Sequence, residues 1–159
     1  MIELRSNRMV QIARGYSIPK TMVHQSIIDF VNICNDMLSN HYRVEIPNMV
    51  TIIPEDEQEY NATFAYIIYR LADKEGLPTN SVYTIIETYL DSVKKDLLRG
   101  ENSGIRGLVR FSISQVEKGY SVQTSISNIY REKSDVSVRV HTARQFKSDV
   151  NEALSSSGV

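Results

Sequence analysis

The chain has 159 residues, 42% of them hydrophobic and 23% charged, with a net charge of −1 and a single cysteine. That is enough for one core, or for two small halves sharing one. The charge balance disfavours a protein that grips nucleic acid by neutralising phosphates. Lone Cys34 excludes an intrachain disulfide, and no apolar run reaches the length needed to span a bilayer. The expectation is a soluble chain made in the cytoplasm or packaged from there.

Along the chain, a short helix is expected over about 4–14. A long amphipathic helix follows, with Val23, Ile27, Phe30, Val31, Cys34, Met37 and Leu38 on one stripe. Ser39-Asn40-His41 then turns into the extended segment Ile46–Ile52. After an acidic stretch with Glu55, Asp56, Glu57 and Glu59, the same succession returns. A helix over Ala62–Lys74 shares Phe64, Ile67, Ile68, Leu71 and Ala72 on one face. Gly76 stops it and Pro78 starts the next, which carries Val82, Ile86, Tyr89, Leu90, Val93 and Leu97. Residues 9–52 and 68–111 align without a gap at a constant offset of 59, which makes a duplicated unit. Gly107 falls on Asn48, and both residue types tolerate positive φ, so a left-handed backbone is expected at both.

The second copy alone continues. Alternation at Val109, Phe111 and Ile113, at Tyr120, Val122 and Ile126, and at Val136, Val138 and Val140 predicts three strands with one buried face each. Glu117-Lys118-Gly119 and residues 131–135 are the predicted turns. Thr142 is placed to cap a last helix over about 143–154 with Phe146, Val150 and Leu154 on one side, and 155–159 is expected to fray.

Three segments in order resemble the HU/IHF (histone-like, integration host factor) family. Leu71-Ala72-Asp73-Lys74-Glu75-Gly76-Leu77 resembles its helix–turn–helix junction. Gly100-Glu101 with Ile105-Arg106-Gly107-Leu108-Val109-Arg110-Phe111 resembles the lead into its sheet. Val140-His141-Thr142-Ala143-Arg144-Gln145-Phe146-Lys147 resembles the start of its C-terminal helix. The resemblance covers about 63–154, and 9–52 through the duplication. It implies an α+β fold: two helix–helix–strand halves packed as a pseudo-dimer, with one β-arm and a C-terminal helix. The implied divisions are a first half over 1–54, an acidic linker over 55–62, an armed second half over 63–154 and a tail over 155–159.

The chain departs from the family where DNA would be held. The family's arm is rich in Arg and Lys and bears an apex Pro. From Ser112 to Asp135 this chain sets Lys118, Arg131 and Lys133 against Glu117, Glu132 and Asp135, with no Pro. The carboxylates at Glu55–Glu59 would repel phosphate at the other arm root. The resemblance therefore points to a non-enzymatic structural protein that reuses the fold for contacts with protein subunits of an oligomeric assembly, similar to phage virion ring, connector or tail components. Tyr120, Val122, Ile126, Ile129 and Tyr130 are the interface candidates, through strand addition. The alternative is a DNA-architectural protein of the cytoplasm or nucleoid, with Arg106, Arg110, Arg139, Arg144 and Lys147 as phosphate contacts.

No cofactor or metal is expected. His24, His41 and His141 are far apart, with no partner at ligand spacing. Cys34 sits on an apolar stripe as a buried thiol, and most tyrosines are expected to be half-buried packing. Gly104 and Gly107 lack the Lys-Ser/Thr and the helix that a phosphate loop needs.

Overall fold

The computed structural model describes residues 19–55, 60–127 and 137–156. The expected first helix over 4–14, the remainder of the acidic stretch, the predicted turn over 131–135 and positions 129, 130 and 136 lie outside the described residues. The fold is α+β, with four described helices and two sheets.

Helix α1 (Lys20–Ser39) leads into β1 (Arg43–Ile46) and β2 (Val50–Pro54). Strand β3 (Asn61–Ala62) precedes α2 (Phe64–Glu75) and α3 (Thr79–Leu98). Then follow β4 (Ser103–Ile105), β5 (Val109–Val116), β6 (Gly119–Ile126), β7 (Val138–Thr142) and α4 (Arg144–Ser156). Every apolar position of the predicted stripes on α1 and α3 is buried, and both helices contribute to one core shared by all the elements. Helix α2 starts later than its pattern suggests, because the Thr63 hydroxyl caps the Tyr66 N–H while Asn61–Ala62 pair in parallel with β1. The expected linker is therefore partly sheet. Helix α4 runs on through Ser156, into the expected tail. Thr142 closes β7 instead of capping α4, and its hydroxyl donates to Thr124 Oγ1 at 2.7 Å.

The duplication is visible in the backbone bonds. Pro19 and Pro78 open α1 and α3 with the same extended geometry, ψ 138° and 139°. Both helices end in the same left-handed turn. The N–H of His41 reaches the Leu38 carbonyl and that of Tyr42 the Met37 carbonyl, each at 3.0 Å; Gly100 to Leu97 and Glu101 to Asp96 repeat both distances. His41 and Gly100 have φ 67° and 84°, and Asn48 and Gly107 have φ 61° and 89°. The left-handed backbone expected at Asn48 and Gly107 is present at both. Replacing Asn48 with Ala is expected to cost about 1 kcal/mol, and with Gly far less, since only the Cβ is penalised there. Urea denaturation of the two variants checks the order.

The strands depart from the expected division. The β5–β6 hairpin turns at Glu117–Lys118, pairing Val109 with Ile126 and Val116 with Gly119. Strand β7, expected to extend the second half, pairs instead with β2, Val50 against Thr142 and Pro54 against Val138. The two ladders correspond: Met49 accepts from the Ala143 N–H at 2.9 Å as Leu108 does from Ser127 at 3.0 Å. Strand β7 is thus to the first half what β6 is to the second. The first half comprises α1, β1, β2 and the returning β7, and the second half sits between them in sequence. One bond from the Glu55 N–H to the Ser137 carbonyl, 2.9 Å, closes the point of departure. Alternation fixes which face of a strand is buried but says nothing about its partner, so the boundary expected at residue 54 does not close a unit.

Candidate interaction surfaces

The edge expected to accept a partner strand is already covered. Helix α4 packs on β6, and Asn151 Oδ1 accepts the outward N–H of Tyr120 at 2.9 Å. On the other flank of the hairpin, Asn102 Oδ1 accepts the Ile113 N–H at 3.0 Å. Such side-chain caps blunt an edge against strand addition. Val122 is buried in the core, while Tyr120 and Ile126 are half-buried against it, so the three offer a partner little area. Ile129 and Tyr130 lie outside the described residues.

The hairpin face turned away from the core pairs Arg110 with Ser125, Ser112 with Gln123 and Ser114 with Ser121. It is a hydroxyl and amide surface with one charge. The cationic candidates are all exposed: Arg106 in the β4–β5 turn, Arg110 on β5, Arg139 on β7 in the other sheet, and Arg144 and Lys147 on α4.

Sequence reasoning missed the tyrosines of α2 and α3. Tyr66, Tyr69 and Tyr83 are 44%, 63% and 44% exposed. At about 100° per residue, Tyr66 and Tyr69 fall opposite the Phe64–Ile67–Ile68–Leu71 stripe, a phase that the sequence carried. Phe64 links the two helices, packing edge-on against Phe30 at 6.2 Å and Tyr83 at 5.9 Å. The Tyr83 hydroxyl bonds to Glu87, whose carboxylate raises the phenol above its usual range.

Beside them, an open groove of about 570 Å³ runs between Pro47–Met49, Phe64, the Tyr83–Lys95 side of α3 and Phe146. Its rim charges are paired, Lys94 with Asp149 at 2.8 Å and Lys95 with Asp91 at 3.0 Å. The bond from Lys94 holds Asp149 below the usual carboxylate range. Lys94 occupies the place of Asn35, whose amide donates to the Val31 carbonyl at 3.0 Å and the Gly107 carbonyl at 3.1 Å, tying the β4–β5 turn to α1. Lys94 turns to α4 instead, and the matching turn at Asn48 is not tied to α3 by that residue.

Cys34 is fully buried, and burial pushes its thiol far above the usual range, so it remains protonated and inert. His24, His41 and His141 stand on α1, the turn after it and β7. Among the described residues, no group of three His, Cys, Asp or Glu side chains is placed to hold a metal, and no helix is long and apolar enough to cross a membrane. Comparison with known proteins gives no matching family model and no matching curated protein.

Proposed function

We propose that the chain is a non-enzymatic assembly protein, an HU/IHF-like pseudo-dimer folded from one polypeptide and used for contacts with protein subunits. The setting we infer is a ring, connector or tail component of a phage virion, assembled in the host cytoplasm. The repeated backbone bonds at constant offset support the pseudo-dimer. The observation that carries the function is the hairpin: residues 109–126 hold Arg110 and Lys118 against Glu117, a net +1, and apart from Arg110 its outer face is serine and glutamine. A DNA arm that neutralises several phosphates needs several cations on one face. The tyrosines of α2 and α3 supply what a protein contact uses instead, large amphipathic area at little entropic cost.

DNA architecture is the second proposal, supported by the exposure of Arg106, Arg110, Arg139, Arg144 and Lys147. A mobility-shift titration separates the two. The assembly role predicts no sub-micromolar binding to duplex DNA at about 150 mM salt. Tight binding there, weakened steeply by added salt and by the double change Arg106→Ala with Arg110→Ala, would decide for DNA. The companion prediction concerns Tyr66→Ala with Tyr69→Ala. Self-association followed by sedimentation is expected to be lost, while stability to urea changes by no more than about 0.5 kcal/mol, as at other exposed positions. Unchanged association would remove the tyrosines from the contact surface.

A further inference from the structure

The helix side and the sheet side of the molecule carry opposite unpaired charges. On the helix side, Tyr66, Tyr69 and Asp73 fall on one stripe of α2, and Tyr83 and Glu87 stand one turn apart on α3. All five are exposed, Tyr69 the most at 63%. Each Arg and Lys of these two helices is already ion-paired: Arg70 with Asp36 at 4.0 Å, Lys74 with Asp29 at 3.2 Å, Lys94 with Asp149 at 2.8 Å and Lys95 with Asp91 at 3.0 Å. Among the described residues, no cation pairs with Asp73 or Glu87, so the tyrosines stand beside carboxylates that nothing neutralises.

On the sheet side, the strand residues that alternate away from the core set Arg43, Arg110 and Arg139 against Glu45, a net +2. Arg110 and Arg139 are exposed, and no described carboxylate is ion-paired with either. Strands β6 and β7, each at the edge of its sheet, meet where the Thr142 hydroxyl bonds to Thr124, so the two arginines belong to one outer surface. The opposite faces of these sheets bury Ile52 and Phe111 against the helix stripes, which puts the arginine surface across the core from the tyrosines.

We propose that the tyrosine side of one copy of this chain receives the arginine side of a second copy, head to tail. The inference rests on the assembly role and names the partner of the same tyrosines. A guanidinium can lie on a tyrosine ring and pair with a neighbouring carboxylate, and Arg and Tyr are the residues that most often anchor protein interfaces. A tyrosine patch meeting its own copy would instead set Asp73 and Glu87 against like charges. Because the two surfaces differ, each copy keeps one of each kind open for the next. Such a contact builds a closed ring or an open filament, never a closed pair.

Charge exchange on the full chain, followed by sedimentation, tests it. Arg110→Glu with Arg139→Glu, and separately Asp73→Lys with Glu87→Lys, set like charges across the contact; each is expected to weaken self-association about tenfold or more. Mixed in equal amounts, the two variants again oppose unlike charges at every contact, and oligomers of wild-type size are expected to return. An arginine variant that sediments as wild type overturns the proposal, and if it has also lost retardation of duplex DNA, the arginines belong to the DNA alternative. A mixture that stays dissociated, with both variants folded by circular dichroism, overturns it as well. Should one variant fail to fold, the other decides alone by whether it dissociates. A wild-type chain that is monomeric at about 0.1 mM, the range of weak encounters, also overturns the head-to-tail contact and leaves the assembly role to the mobility shift.

Discussion

A chain that stops at Ser127 is expected not to fold, although it retains nearly all of both repeated units. It lacks β7, so β2 loses five paired residues, the Glu55–Ser137 closure and the Ala143–Met49 bond. It also lacks α4, whose Phe146, Val150 and Leu154 are buried, with the Phe146 ring 5.1 Å from that of Phe111. Burying three such side chains contributes about 5–9 kcal/mol. That is comparable to the whole stability of a domain, about 5–15 kcal/mol. The expected result is loss of the cooperative thermal transition seen by circular dichroism. A truncated chain that still melts in one sharp step would mean that each half is stable without the returning strand. Phe111→Ala alone is a milder version, expected to cost about 3–5 kcal/mol.

The second large effect is expected at Gly104. Strand β4 runs so close to β5 there that a Cβ would overlap the Val109 carbonyl oxygen and lie 3.0 Å from the Arg110 Cα. Both are backbone atoms of a central strand, so no side chain can swing aside. Gly104→Ala is expected to destabilise by about 3 kcal/mol, the upper range for forced overpacking. Gly76→Ala provides the contrast. Its Cβ would meet nothing within 4 Å, and φ 65° alone costs about 1 kcal/mol. Equal losses in urea at the two positions would show that sheet spacing relaxes more readily than backbone contacts allow.

What the sequence made legible was local. Helical phase identified the buried stripes of α1 and α3, Gly76 ended α2, and the offset of 59 paired Asn48 with Gly107 before any φ was known. The stripes and the helix stop depend on residues within a turn or two of each other, and the offset depends on the likeness of two such local patterns. Partnership was not legible. Val138 and Val140 alternate identically whether β7 joins β2 or β6, and the choice is made across a separation that no local pattern records. The surroundings of the candidate strand were not legible for a related reason. Tyr120 and Val122 read as an open arm because nothing near them in sequence shows that α4 will cover β6 and that Asn151 will occupy its edge. Tyr66 and Tyr69 could have been found by phase, but the scatter of tyrosines among helices and strands assigned most of them to packing.

The return of β7 to β2 also imposes an order on synthesis. The β4–β5–β6 sheet has all its strands when residue 127 has been made, while β2, finished at Pro54, waits for Thr142, 88 residues later (142 against 54). At about 5–20 residues per second, that wait is roughly 4–18 s. Throughout it, the β2 edge with Val50 and Ile52 has no partner on that side, and such an edge invites pairing with another chain. The later-made sheet is therefore the first to have all its strands, and the earlier-made one depends on β7. A nascent chain stalled before residue 138 should be the form of this protein most prone to aggregate, more so than one stalled after residue 156.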